Sequence, residues 1–431
     1  MNPVLDNLKN LPGADSIARF EIPNGITLLT YTNFNTHSVD LIGLLEAGGA
    51  ADPKQKLGLA HFTASMLSRG TLKRSFTDYH DLLESRGASL SFSCGTRSTW
   101  FRGKALAEDL EMLVDLAAES LQQPSFPHEY VERLRNQLIA GLAIRDQDTS
   151  EVASMLFDQT LFPGHPYGDP VDGFLDTVKA IQREDLVAFH HNHFAPSQMV
   201  LVVAGAVESD QVREYVENFF GNWKNGKVSD FIFPPVPNAP DRIVRSHRSL
   251  EEKSQTDLQI GTLGPSRMSE DYLPAYLGNN ILGQFGLMGR IGESVRSKSG
   301  LAYHASSSVN GWQETGTWEF SAGLNPENLE KVIDLIRSEI RRFVEDPVTE
   351  DELADSKSHL IGRLPLSLET NSGIANSILT IERFDLGLDY YQRYPGLIQS
   401  ISAQQILEVS RKYLHPDRLV IASAGLGEEV G

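Results

Sequence analysis

The chain has 431 residues, more than one hydrophobic core usually organises, so a single small domain is excluded and two or more packed units are expected. Hydrophobic residues make up 40% and charged residues 22% of the sequence, which is typical of globular proteins and unlike disordered chains. The formal net charge of −19 repels phosphate backbones and anionic lipid headgroups, so neither nucleic acid nor a membrane surface is an expected partner.

Cysteine usage and the N-terminus bear on the cellular compartment. Cys94 is the only cysteine, which excludes an intrachain disulfide and a thiolate-rich metal site. Residues 1–10 lack the basic start and apolar run of a secretion signal, and no later apolar stretch reaches the length of a membrane-spanning helix. These features predict a cytoplasmic protein, although a signal removed beforehand would leave the same start.

The first half of the chain opens with two strand-like runs, ITLLTYT at 26–32 and DLIGLLE at 40–46, both rich in β-branched or apolar residues. The stretch GLAHFTASMLSRGT at 58–71 follows and contains His61, Ala64 and Ser65. Residues 87–103 alternate between polar and apolar side chains, which predicts a strand.

Helical periodicity follows over residues 129–144. There, Val131, Leu134, Leu138 and Leu142 fall at i, i+3, i+7 and i+11 and predict one apolar stripe on a helix. The block FHHNHFAP then brings three histidines to a predicted helix end, His190, His191 and His193. Because side chains this close in sequence cannot all face one ion, we interpret them as structural or solvated residues.

The chain midpoint has the composition of an interdomain linker. Residues 222–241 contain four prolines and few helix formers. On either side, APSQMVLVVAG at 195–205 is matched by HPDRLVIASAG at 415–425, with Pro416 following Pro196 by 220 positions. We therefore predict an internal duplication, with domains at 1–221 and 242–431 joined by a linker at 222–241.

Each half mixes strand-like and helical runs without strict alternation; later strand-like runs lie at 199–205 and 317–324. This arrangement predicts an α+β fold in which an antiparallel-rich sheet carries helices on one face. The second half also contains ESVRSKSGLAYHASSS at 293–308, where Arg296 and Tyr303 lie seven positions apart. Considered alone, Arg296 would be a solvated charge and Tyr303 a half-buried strand residue.

Two of these stretches resemble signatures of the pitrilysin/insulinase family of zinc metallopeptidases, which includes the mitochondrial processing peptidases. The first resembles the helix on which His-x-x-Glu-His supplies two zinc ligands and a general base. His61 matches the first histidine, but Ala64 stands at the glutamate position and Ser65 at the second histidine. Aligning the family's third ligand, a glutamate on a later helix, places Leu134 there.

The second signature is the family's arginine and tyrosine pair, which Arg296 and Tyr303 match in spacing. In the family both side chains reach the substrate, and the tyrosine hydroxyl helps to hold the scissile carbonyl as it becomes an oxyanion. Negative charge that develops on an oxygen is best stabilised by preorganised hydrogen-bond donors. Arginine adds a permanent positive charge and several N–H donors in a forked arrangement. Residues 87–103 also resemble the family's edge strand that pairs with extended peptide, with Ser91 and Phe92 replacing the usual Asn-Ala.

The resemblance implies two similar halves that form half of a clamshell, and a division of labour between two chains. This chain would be the non-catalytic, substrate-binding subunit of a heterodimeric zinc endopeptidase acting on short, extended peptides. It would hold no metal itself, and a homologous partner with an intact His-x-x-Glu-His would bring the zinc. The alternative is a stand-alone, non-enzymatic peptide-binding or scaffold protein, with a homodimer as one form. Autonomous hydrolysis through Ser65 and His61 is disfavoured, because no third orienting group is apparent in the sequence.

Overall fold

The computed structural model describes residues 11–224 and 232–427, without the side chains of 285–288. The N-terminal residues 1–10 and the central part of the predicted linker, 225–231, lie outside the described residues. The chain forms two compact units. Unit 1 comprises Met1–Leu142, Pro170–Phe233 and Pro365–Gln392, and unit 2 comprises Ala143–Asp169, Pro234–Leu364 and Arg393–Gly431.

The strands, in chain order, are β1 Ile17–Glu21, β2 Thr27–Thr32, β3 Ser38–Leu45, β4 Ser89–Cys94, β5 Thr99–Leu106, β6 Met199–Gly205, β7 Val244–Ser249, β8 Thr256–Gly264, β9 Ala302–Gly311, β10 Gly316–Leu324 and β11 Val420–Gly425. The helices are α1 Leu59–Met66, α2 Phe76–Ser85, α3 Leu110–Gln122, α4 His128–Arg145, α5 Thr149–Leu161, α6 Leu175–Ala180, α7 Arg183–His193, α8 Ser209–Phe220, α9 Tyr272–Gly283, α10 Phe285–Gly292, α11 Leu329–Glu345, α12 Glu350–Ser367, α13 Asn371–Arg383, α14 Tyr390–Ser400 and α15 Ala403–Tyr413. Short 3₁₀ turns and one π-helical turn, Glu293–Lys298, complete the regular structure of the described residues.

The two sheets repeat one topology. Unit 1 has the strand order β1-β2-β6-β3-β5-β4, and unit 2 has the order β7-β11-β8-β10-β9. In each sheet one neighbouring pair is parallel, β2 with β6 and β7 with β11, and the remaining described pairs are antiparallel. The predicted α+β class with two similar, antiparallel-rich halves is therefore confirmed, and the sheets differ by the additional strand β1 in unit 1.

The apolar core of unit 1 lies on one face of its sheet. Alternate residues of β6, Met199, Leu201 and Val203, pack there against α1, α3 and α8 within a single buried cluster. Most helices of unit 1 that contact the sheet pack on this face, as the sequence predicts. Because β6 is also buried on its other face, it is a nearly continuous apolar run.

A helix from the opposite half of the sequence covers that other face in each unit. In unit 1, α13 packs on β3 and β6, where its Asn376 accepts a hydrogen bond from Arg102 and its Arg383 lies over Trp100. In unit 2, α5 packs on β7, β8 and β11. The predicted domain boundaries at 221 and 242 stay a prediction. The compact units exchange a helix, so neither unit is a single continuous segment of the chain.

The secondary structure agrees closely with the sequence pattern in most places. The helix expected at 129–144 is α4, with Val131, Leu134 and Leu142 buried and Leu138 partly buried. The strand expected at 87–103 is a hairpin of β4 and β5. No helix in the described part of the chain is long and apolar enough to cross a membrane.

Candidate functional site

The helix α1 in unit 1 carries the first group of expected site positions. Asp52 caps its start, accepting hydrogen bonds from the backbone N–H of Gly58 at 2.8 Å and of Ala60 at 2.9 Å. His61 is half-buried, and burial lowers the pKa of its imidazole, an effect that the nearby carboxylate of Asp172 opposes. His61 is therefore a neutral imidazole at physiological pH.

The positions that would complete a metal site carry no ligand atoms. The methyl side chain of Ala64 is fully buried, and Ser65 is half-buried with only a neutral hydroxyl. On α4, Leu134 is 5% exposed and belongs to the apolar core cluster of unit 1. A carboxylate at this position would be surrounded by apolar side chains, an environment that disfavours its charged form.

The donor set of this helix does not fit a catalytic zinc ion. Such an ion takes three protein ligands and an open position for water, whereas the expected ligand positions on α1 offer one imidazole and one hydroxyl. Throughout residues 11–224 and 232–427, no group of three or more histidine, cysteine, aspartate or glutamate side chains is placed to hold a metal. No step of a reaction can therefore be assigned to a metal held by the described residues of this chain.

Arg296 lies in unit 2 on a local irregularity of the backbone. It belongs to the π-helical turn Glu293–Lys298, which directly extends α10. Val295 anchors this turn in the interior, and its carbonyl accepts a hydrogen bond from Leu301 at 3.1 Å. The Arg296 side chain is exposed. Because π-helical turns change the direction in which helix side chains project, they are frequent at functional sites.

Tyr303 lies on a second irregularity, in the edge strand β9. The register between β9 and β10 shifts here: Gly323 pairs with His304, whereas Leu324 pairs with Ala302. Tyr303 is thus the additional residue of a β-bulge, and its side chain is 65% exposed. Bulges are common next to active sites because they redirect a side chain out of the regular ladder.

Two further expectations concern other segments of unit 1. The strand β4, with Ser91 and Phe92, does lie at the edge of its sheet. Within the histidine block, His190 bonds the carbonyl of Leu121 at 2.8 Å, and burial lowers its pKa to about 4, so it is a structural residue as predicted.

Sequence reasoning missed the acidic residues around α1. Asp52 and Asp172 come from segments that motif comparison leaves unassigned, yet one caps the helix and the other faces His61. Asp52 lies six positions before Gly58, the residue that precedes α1, and an acidic residue at this spacing is only a weak sequence signal for a helix cap. The proximity of Asp172 to His61 depends on tertiary packing and has no local signature.

Two family models match the chain. The model described as "Insulinase (Peptidase family M16)" matches residues 28–173, and the model described as "Peptidase M16 inactive domain" matches residues 180–360. The chain belongs to the peptidase M16 family. The first match includes α1, and the second includes the π-helical turn and the β-bulge that carry Arg296 and Tyr303.

Individual M16 proteins are similar along most of the chain. An uncharacterized zinc protease of Streptomyces coelicolor is 27% identical over 377 residues, which are 86% of this chain and 81% of that protein. The mitochondrial-processing peptidase subunit beta of Saccharomyces cerevisiae is 26% identical over 377 residues, which are 83% and 80% of the two chains. The crystal structure of a peptidase M16 inactive domain from Pseudomonas fluorescens has a TM-score of 0.89 at 24% identity, covering 96% of this chain and 98% of that chain, which shows the shared M16 fold.

Proposed function

We propose that this M16 chain is the non-catalytic, substrate-binding subunit of a heterodimeric zinc endopeptidase that acts on short, extended peptides. The observation that carries the proposal is the contrast between its two candidate sites. Arg296 and Tyr303 are both exposed on backbone irregularities, whereas Ala64 and Leu134 are buried apolar residues where zinc chemistry would need a carboxylate.

The two exposed side chains suit a peptide carbonyl. The Tyr303 hydroxyl is a neutral donor for an oxygen that gains negative charge, and Arg296 supplies a fixed positive charge with several N–H donors. A homologous partner with an intact His-x-x-Glu-His would hold the zinc, which supplies the activated water when bound there. Arg296 and Tyr303 would then orient the peptide and stabilise the tetrahedral intermediate.

The relatives support a role in proteolysis, and one supports a role as a subunit. The Streptomyces protein is described as a zinc protease, and the yeast protein is described as a subunit of a peptidase. A chain of this family that lacks its own metal ligands contributes to hydrolysis only if another chain supplies them. Because the relatives are described as peptidases, this requirement favours the heterodimer over a stand-alone scaffold.

The decisive experiment measures peptide hydrolysis and bound zinc for the chain alone and after mixing with a homologous chain that carries His-x-x-Glu-His. We expect activity only in the mixture, with zinc in the partner. Replacing Tyr303→Phe in the mixture should lower kcat by about 10²–10³-fold, because one oxyanion donor is lost. Thermal stability should not change, since the Tyr303 side chain is 65% exposed.

A matched control is Tyr215→Phe, which removes a half-buried tyrosine hydroxyl from α8 in unit 1. This variant should retain the kcat of the unmodified mixture. Unchanged turnover in the Tyr303→Phe mixture would exclude the proposed role of the hydroxyl. Peptide binding by the chain alone, without hydrolysis in any mixture, would favour the stand-alone peptide-binding protein instead.

A further inference from the structure

Beside Tyr303, the sheet of unit 2 carries a histidine and a buried carboxylate to which the proposed function gives no role. His304 follows Tyr303 on β9 and is exposed. In the sheet register His304 pairs with Gly323 of β10, and Gly323 pairs on its other side with Asp257 of β8. Asp257 is 4% exposed. The three residues therefore form one row across the sheet, with the glycine in the middle.

The lack of a side chain at Gly323 lets the two outer side chains approach each other. A Cβ atom on Gly323 would lie 2.8 Å from Nδ1 of His304 and 2.9 Å from Oδ1 of Asp257. The imidazole and the carboxylate are therefore close neighbours on one face of the sheet. Glycine inside a strand often marks a place where a ligand or another backbone approaches closely. Between these two described side chains there is no direct hydrogen bond, and bonds at such sites often tighten only when a substrate binds.

Asp257 is held in place through its other carboxylate oxygen. Its Oδ2 accepts a hydrogen bond from the hydroxyl of Thr149 at 2.5 Å and from Nε2 of Gln255 at 2.9 Å. Oδ1 is the oxygen that faces the histidine. A carboxylate in this position favours an N–H on the nearest ring nitrogen, so the opposite nitrogen of a neutral imidazole becomes an acceptor. In His304 the nearest nitrogen is Nδ1, and the acceptor is Nε2.

We propose that His304 is a third substrate-contacting residue, whose Nε2 accepts a hydrogen bond from a backbone N–H of the bound peptide. Asp257 is a positioning residue that sets the tautomer of the ring. This inference rests on the proposed role of Tyr303 as a donor to the peptide carbonyl. An extended peptide carries both C=O and N–H groups, so the neighbouring side chains of Tyr303 and His304 would contact its backbone with complementary polarity. Backbone contacts of this kind bind peptides of varied sequence.

The variant Asp257→Asn tests the proposal, because it changes the pattern of donors and acceptors but not the shape of the side chain. Since Thr149 and Gln255 are both donors, the carbonyl oxygen of the new amide stays with them and its N–H group faces His304. Nδ1 must then accept, and Nε2 carries the proton. We expect KM to rise by about 3–10-fold, the usual effect of one hydrogen bond. The value of kcat should stay nearly the same, because this bond forms equally in the bound substrate and in the transition state.

Variants of the histidine complete the test. His304→Ala should raise KM by the same factor, and His304→Gln should restore most of the loss, since glutamine keeps an acceptor. In the His304→Gln protein, Asp257→Asn should have no further effect, because there is no ring tautomer to set. The matched control is His191→Ala, which removes an exposed histidine from α7 in unit 1 and should leave KM unchanged.

Two measurements are made on each variant. KM and kcat are determined in the mixture with the homologous chain that carries His-x-x-Glu-His, using the quenched fluorogenic peptide that the unmodified mixture cleaves fastest from a randomised pool. Fluorescence anisotropy measures binding of the fluorescein-labelled pool to the chain alone. Thermal unfolding shows whether each variant keeps its fold.

The outcomes separate this inference from the proposed function. Unchanged KM for His304→Ala and Asp257→Asn, together with a lowered kcat for Tyr303→Phe, would overturn the inference and leave the proposed function standing. Lower thermal stability of both variants with unchanged KM would show that the row is only structural. If no mixture hydrolyses peptide, the proposed function fails and the binding measurement decides. Weaker binding by both variants would then support His304 as a peptide contact, and equal binding would overturn it.

Discussion

At the residue scale, two carboxyl groups of unit 2 interact inside the protein. Glu319 on β10 accepts hydrogen bonds from Gln259 at 2.6 Å, from Asn310 at 3.1 Å and from Thr317. Asp158 on α5 faces it without a side-chain hydrogen bond from any described residue. Burial, and then the charge of Glu319, hold the pKa of Asp158 well above its usual range. Asp158 therefore holds its proton more tightly in the folded state than in the unfolded chain.

This shift predicts a stability that falls as pH rises. Because the folded pKa of Asp158 is raised, its favourable contribution is complete below the ordinary aspartate pKa and is lost as pH rises through the folded value. The substitution Asp158→Asn mimics the protonated form. It should increase the free energy of unfolding at alkaline pH, by on the order of 1 kcal/mol, and change it little near pH 4. Urea unfolding across this pH range is the measurement, and an equal effect at both ends would contradict the assignment.

At the element scale, the exchanged helices connect the folding of each sheet to the other half of the sequence. The buried face of α5 consists of Val152, Ala153, Phe157 and Leu161. Phe157 packs directly on Gly261 of β8, where a Cβ atom would lie 2.9 Å from its ring. The corresponding face of α13 includes Ile374 and Ile378. Each helix therefore stabilises the sheet that the opposite half of the sequence forms.

A pair of variants tests this exchange. Phe157→Ala should cost about 3–5 kcal/mol, the usual loss for a fully buried phenylalanine. Although Phe157 comes from the first half of the chain, hydrogen exchange should rise in β7, β8 and β11 and much less in β2, β3 and β6. Ile378→Ala should produce the reverse pattern. Hydrogen–deuterium exchange with mass spectrometry measures the exchange rates in both sheets. Equal effects of each variant on the two sheets would contradict the proposed exchange of helices.

At the scale of the whole molecule, the same exchange predicts how fragments behave. The fragment 1–221 contains α5 without the sheet that α5 covers, and it lacks α13, which covers its own sheet. The fragment 242–431 contains α13 without the sheet that α13 covers, and it lacks α5. Each alone would expose apolar sheet surface, so we expect aggregation or loss of fixed tertiary structure. Co-expressed fragments should form one soluble complex by size-exclusion chromatography, with near-UV circular dichroism like that of the intact chain.

The matched control for the fragments carries charge on α13. A fragment 242–431 with Ile374→Asp and Ile378→Asp should no longer stabilise the fragment 1–221. If fragment 1–221 were instead a stable monomer with a cooperative unfolding transition, the contiguous domain boundaries would be the correct description. In that case α13 would be an accessory element of unit 1.

Much of the architecture follows from local sequence. The β6 and α4 patterns predict their elements closely, because side-chain periodicity reflects which faces are buried. The duplication was visible in two short matching segments, since the same strand needs the same apolar residues in both halves. The departures at Ala64 and Ser65 were equally visible, because a metal site requires particular donor atoms at particular positions.

Other features depend on distances between residues that are far apart in sequence. An amphipathic helix shows that it has an apolar face but not which sheet that face covers, so the exchange of α5 and α13 has no local signal. The bulge at Tyr303 arises from the register of β9 against β10, and the raised pKa of Asp158 arises from its burial beside Glu319.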